Sequence, residues 1–134
     1  MRSYPAPSPG DIVWCRFPQR EHIRPAKPRP ALVLSVMDDA SPVRVRVTYG
    51  TSRGTHSVAA TEMLIGPENP EAYALSGLSW PTRFCMTAIV VLDYTDLWFE
   101  RAPGIPTRTT PQIGILHPSL MPALKAALKS ARLI

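Results

Sequence analysis

The sequence predicts a mainly β fold, a small β-barrel of short antiparallel strands with one C-terminal α-helix. Three features carry that reading. Sixteen prolines stand among 134 residues, about 12% against a usual ~5%, and each removes a backbone donor and crowds any helix it enters. Runs of β-branched and aromatic residues recur between turn residues, several of them alternating apolar with polar side chains. Only the last stretch of the chain repeats leucine at helical spacing.

Taken in order, residues 1–8 read as a loose Pro/Ser arm. Asp11 to Phe17 alternates as a half-buried strand, with Ile12, Trp14 and Arg16 on one side and Val13, Cys15 and Phe17 on the other; Trp14 is expected inside the barrel. Residues 18–28 are polar, basic and broken by prolines, the composition of a long hairpin loop. Ala31 to Val36 is a continuous apolar run, which marks a central strand buried on both faces. After a turn at 38–42, Val43 to Tyr49 alternates strictly, sending its valines inward and Arg44 and Arg46 outward. Gly50 to Thr55 is a loop, and residues 56–60 are assigned a brief strand. The turn at 66–70 leads into an irregular stretch, then a strand opens at Pro81–Thr82 and runs through Leu92. Residues 93–112 read mostly as loop. The helix occupies 117–132: Pro118 suits a first helical position, Leu120, Leu124 and Leu128 form a stripe, and Ala123, Ala127 and Ala131 flank it. No internal repeat is present, so residues 1–134 are expected to form one domain.

An apolar content of 45% with 19% charged residues belongs to a globular chain able to bury a core. No apolar run approaches the ~20 residues of a membrane span. The start lacks the apolar core of a secretory signal, so Cys15 and Cys85 are expected as reduced thiols and the protein as cytoplasmic. Net charge is +5 and unevenly spread. Residues 16–29 hold Arg16, Arg20, Arg24, Lys27 and Arg29 against Glu21 alone, whereas 101–134 hold five bases and no acid. Such asymmetry predicts a basic face for a polyanion.

The chemistry centres on Arg29. Pro28 and Pro30 fix the backbone around it at the mouth of the buried strand, and Pro30 drives Arg29 toward extended geometry. A guanidinium that stays charged and binds bidentately suits a phosphate; the plainer alternative is a solvated charge at a strand end. The three histidines are scattered and the cysteines lack partners at ligand spacing, so no metal or other cofactor is expected. Neither a phosphate-cradling glycine loop nor a Gly-x-Ser-x-Gly elbow occurs.

Several motifs together resemble the PemK/MazF type of bacterial toxin. They are Gly10-Asp11-Ile12-Val13-Trp14, Arg29-Pro30-Ala31-Leu32-Val33-Leu34-Ser35 and Thr48-Tyr49-Gly50-Thr51-Ser52, followed by the segments 77–84 and 114–118. The resemblance implies an SH3-like barrel, a homodimer and a metal-independent endoribonuclease of a type II toxin–antitoxin system. It further implies cleavage of single-stranded RNA and silencing by a cognate antitoxin protein. It aligns the family's arginine with Arg29 and its strand-end hydroxyl with Thr51 or Ser52. A histidine that some members carry in the first hairpin loop matches His22, while the aspartate that some carry in the stretch matching 79–83 has no counterpart. Arg24, Lys27, Arg44, Arg53, His56, Trp80 and Arg83 are expected along the RNA. Two alternatives stand beside this reading: a toxin of the same barrel that binds DNA gyrase without catalysis, and a degenerate module that only binds RNA or antitoxin.

Overall fold

Strict alternation in the valine segment sets the middle of an antiparallel sheet in the computed structural model, which describes residues 2–17, 27–104 and 108–134. That segment is β3 (Arg44–Thr51): Val45 and Val47 are buried while Arg44 and Arg46 are exposed. β2 (Arg29–Met37) pairs with one edge of β3, and the long β5 (Thr82–Asp93) with the other. With β1 (Asp11–Cys15), β4 (Glu62–Ile65) and β6 (Gln112–Ile115), the sheet runs β4-β5-β3-β2-β1-β6.

The sheet curls without closing on itself, so β4 and β6 remain edges. The opening is bridged by α1 (Pro70–Ser76), which touches both edge strands, while α2 (Met121–Ser130) lies against β4. Asn69 caps α1 by accepting from the Ala72 amide at 3.3 Å, and Pro70 opens the helix, satisfying and sparing donors that a helix start leaves unpaired. Gly77 ends α1 in the left-handed conformation, at φ 70°.

Continuous apolar character in β2 follows from burial on both faces of the sheet. Leu32 joins Ile12, Ile65, Phe84 and Leu124 beneath the helices. Ala31 and Val33 join Val13, Val45, Val47 and Phe99 on the other side. Each large side chain buried this way contributes about 1.5–3 kcal/mol. The N-terminal arm covers this second core. It is docked, not loose: Ser3 bridges Thr95, the Tyr4 amide donates to the Tyr94 carbonyl at 3.1 Å, and the Tyr4 and Tyr94 rings meet edge-on.

Other departures are local. The brief strand expected at 56–60 is a turn, and the strand follows it at Glu62–Ile65. The irregular stretch before Trp80 contains α1, and the expected loop at 93–112 gives way at its end to β6. The C-terminal helix begins as a 3-10 turn, Pro118–Leu120, before α2. Leu120, Leu124 and Ala127 are buried, whereas Ala123 faces solvent. Among the described residues no helix is long and apolar enough to cross a membrane.

Both cysteines are free. Burial pushes the Cys15 thiol above its ordinary pKa, which disfavours the thiolate a nucleophile would need. Cys85 is half-exposed. Iodoacetamide applied to the folded protein should therefore label Cys85 and spare Cys15, with Cys15 reacting only on unfolding; peptide mass mapping reads the order directly.

Candidate functional site

Strand pairing assembles the site. Within β2, Arg29 lies opposite Cys15 of β1, and Pro30 opposite Trp14. On the other edge of β2, Ala31 pairs with Tyr49 of β3. A bulge after Thr48 then shifts the register, so that Gly50 meets Phe84 and Thr51 meets Arg83. The extra residues of this irregularity lie on β5, and past it Thr51 and Ser52 line the same cleft as Arg29.

That cleft has a volume of about 390 Å³, within the range of small-ligand sites. Arg29 is half-buried, and its guanidinium carbon stands 6.0 Å from the centre of the Tyr49 ring, the outer limit of a cation–π contact. Phe17 backs Tyr49, with ring centres 5.3 Å apart. Among the described residues no carboxylate lies within ion-pair distance of Arg29. It lines the cleft on a backbone stiffened by prolines on either side.

Thr51 and Ser52 differ in access. Thr51 is 7% exposed, and its Oγ1 accepts from the Arg53 amide at 3.2 Å, a local turn bond of the kind hydroxyl residues often make. Ser52, one residue on, is exposed. Of the two hydroxyls that the resemblance left open, one is buried and turn-forming and the other exposed, and both line the cleft.

The remaining expected residues separate. Trp80 is 71% exposed on the cleft rim. Trp14 is half-buried and lines the cleft, so its expected place inside the barrel is corrected. Lys27 is exposed just before Pro28. Arg53 and His56 are exposed in the turn after β3 without lining the cleft. Arg44 sits at the far end of β3, 3.9 Å from Asp93. Arg83 is turned inward: it pairs with the Glu62 carboxylate, and its Nε donates to the Arg53 carbonyl at 2.7 Å. It therefore steadies the turn that carries Ser52. His22 and Arg24 lie outside the described residues.

Sequence reasoning missed Arg108, which also lines the cleft. Its guanidinium is laid along β6, donating to the Gln112 carbonyl at 2.5 Å and to the Ile113 carbonyl at 3.5 Å. The acid-free stretch at 101–134 was the signal for it.

A curled antiparallel sheet with an arginine at the mouth of β2, strand-end hydroxyls on β3 and a C-terminal helix agrees with what the motifs implied. Residues 8–131 match the family described as PemK-like, MazF-like toxin of type II toxin-antitoxin system. The chain belongs to this family. No curated protein sequence matched it. As a PemK/MazF-like toxin of a type II system, the protein has an antitoxin partner implied by its family. The fold expected of a PemK/MazF-like toxin, mostly β with a terminal helix, is the fold observed.

Proposed function

We propose that this toxin is an endoribonuclease that cuts single-stranded RNA without a metal ion, by attack of a ribose 2′-hydroxyl on the adjacent phosphate. The observation that carries this reading is the Arg29 guanidinium, without a carboxylate partner among the described residues, at a cleft shared with Thr51 and Ser52. Among the described residues that line the cleft there is no carboxylate, a donor set that favours a polyanion.

In the proposed step, the 2′-oxygen forms a bond to phosphorus and the bond from phosphorus to the 5′-oxygen breaks. The products are a 2′,3′-cyclic phosphate and a 5′-hydroxyl. Negative charge builds on the nonbridging oxygens, where fixed donors count most. Arg29 supplies two parallel N–H bonds and a full charge there. Ser52 donates its hydroxyl hydrogen to a nonbridging oxygen, and Thr51, already accepting from the Arg53 amide, keeps its own hydrogen free for the same use. A guanidinium stays protonated in proteins, so Arg29 holds charge and does not act as the base. The proton leaving the 2′-hydroxyl is assigned to His22, on the chemical ground that an imidazole can take up and return a proton near neutrality. The departing 5′-oxygen takes back a proton through solvent to become the 5′-hydroxyl. Trp80, on the rim, offers a face on which a base can stack. Lys27 and Arg53 lend charge beside the cleft, and Arg24 belongs with them on sequence grounds. Arg44, His56 and Arg83 are withdrawn from direct RNA contact at this cleft. The same reading has the toxin working in the cytoplasm as a homodimer restrained by its antitoxin.

Incubating purified protein with cellular RNA in excess chelator tests the proposal. The expected result is fragments with 5′-hydroxyl and 2′,3′-cyclic phosphate ends. Intact RNA would point to a toxin that binds its target without cutting; 5′-phosphate ends, or a strict need for added divalent ion, would overturn the mechanism.

A further inference from the structure

We infer that Arg108 forms a second phosphate subsite, which holds a linkage next to the scissile one and makes the substrate a strand and not a single phosphodiester. The inference rests on the endoribonuclease reading and extends it. Its starting point is how the arginines are neutralised. Arg16 is paired with Glu100 at 3.2 Å, Arg44 lies near Asp93, and Arg83 is paired with Glu62. Arg29 and Arg108 line one cleft, and among the described residues neither has a carboxylate partner.

Arg108 is also held in place. Its carbonyl accepts from Arg101 Nη1 at 3.3 Å, fixing the backbone, while its guanidinium rests on the two β6 carbonyls. Those carbonyls are neutral acceptors. They use part of the five-donor fork, leave its charge unquenched and leave other N–H bonds free. Such preorganisation lowers the entropy cost of gripping an anion.

Sheet order gives the direction. β3, with Thr51 and Ser52, lies on one side of β2, and β1 followed by β6 on the other. Arg29 therefore stands between the hydroxyls and Arg108. With strands ~4.8 Å apart, the β6 carbonyls that anchor Arg108 lie about 10 Å across the sheet from β2. A ribose-phosphate backbone crossing the strands, with its scissile phosphate at Arg29, carries a neighbouring phosphate toward Arg108.

The test separates binding from cutting. Short random-sequence 2′-O-methyl RNA, whose blocked 2′-oxygens cannot attack, is titrated against wild-type protein and Arg108→Ala over a range of salt concentrations. Losing one phosphate contact on a single strand should reduce the slope of log K against log salt by ~0.7. On cleavable RNA, Arg108→Ala should raise KM about tenfold and leave kcat within about twofold. Arg108→Lys should restore most of the salt slope. Should Arg108→Ala fail to fold, the pair Arg108→Lys and Arg108→Gln gives the same comparison, since both side chains still reach along β6 and only one is charged. An unchanged salt slope in a wild-type background that cuts RNA overturns the subsite alone. A wild type that binds with the expected slope change but never cuts overturns the nuclease reading and leaves the subsite standing. Loss of kcat with KM unchanged would move Arg108 into the chemical step and also overturn the inference.

Discussion

Arg29→Ala should fold like the parent protein and cleave RNA about 10²–10³-fold more slowly. The fold should survive because the side chain has no ion-pair partner among the described residues and is only half-buried at a strand end. Its removal leaves no orphaned carboxylate and opens no cavity in either core. The rate should fall because the lost donors act where charge accumulates, so the loss belongs in kcat as well as kcat/KM. Arg29→Lys keeps the charge but replaces a planar fork with a point charge, and recovers only part of the rate. Initial rates on the purified variants, with circular dichroism and melting curves beside them, decide the matter. A folded Arg29→Ala protein with undiminished rate would remove this residue from the mechanism.

The second large effect is on stability. Gly114→Ala should lower the melting temperature by about 10 °C, corresponding to roughly 2–3 kcal/mol for a domain of this size. Gly114 lies in β6 opposite Ile12. A β-carbon added there would overlap the carbonyl of Ser76 and stand 2.6 Å from the carbonyl oxygen of Leu75. Both obstacles are backbone at the end of α1, so no rotamer change can make room. Gly77, which ends α1, is equally confined: a β-carbon on it would overlap the Ile113 carbonyl. The two glycines let helix and edge strand meet backbone to backbone. In Gly114→Ala they must part, and Gly77, Leu78 and Ile113, which line the cleft, part with them. Activity should therefore fall even below the melting temperature. An unaltered melting curve would mean that α1 is not seated on β6 in this way.

What could be read in the sequence, and what could not, follows from the range of the interactions. The valines of β3 and the unbroken apolar run of β2 were legible because alternation and continuity are properties of the segment itself. The leucine stripe of α2 was legible for the same reason. By contrast α1 is only seven residues long, too short to display a helical period, and its Asn69-Pro70 start reads equally well as a turn. β6 has four residues, one of them glycine, and exists because β1 offers it a free edge. The register shift between Thr48 and Gly50 is likewise announced by nothing local. In the site, the two prolines made Arg29 conspicuous. Arg108 lay in a Pro/Thr-rich loop with no motif around it, and only pairing of β6 with β1 brings it to the cleft that Arg29 lines. Arg83 misled for the converse reason: its neutralising partner Glu62 lies 21 positions earlier in the chain and meets it through the β4–β5 ladder.

The cleft draws on both ends of the polypeptide: Trp14 and Arg29 come from the opening strands, while Arg108 and Ile113 come from the last strand. A ribosome translating this message thus makes the arginine at the mouth of β2 long before it has made the opposite bank of the groove. The groove is fully lined only once β6 has also been made and paired with β1.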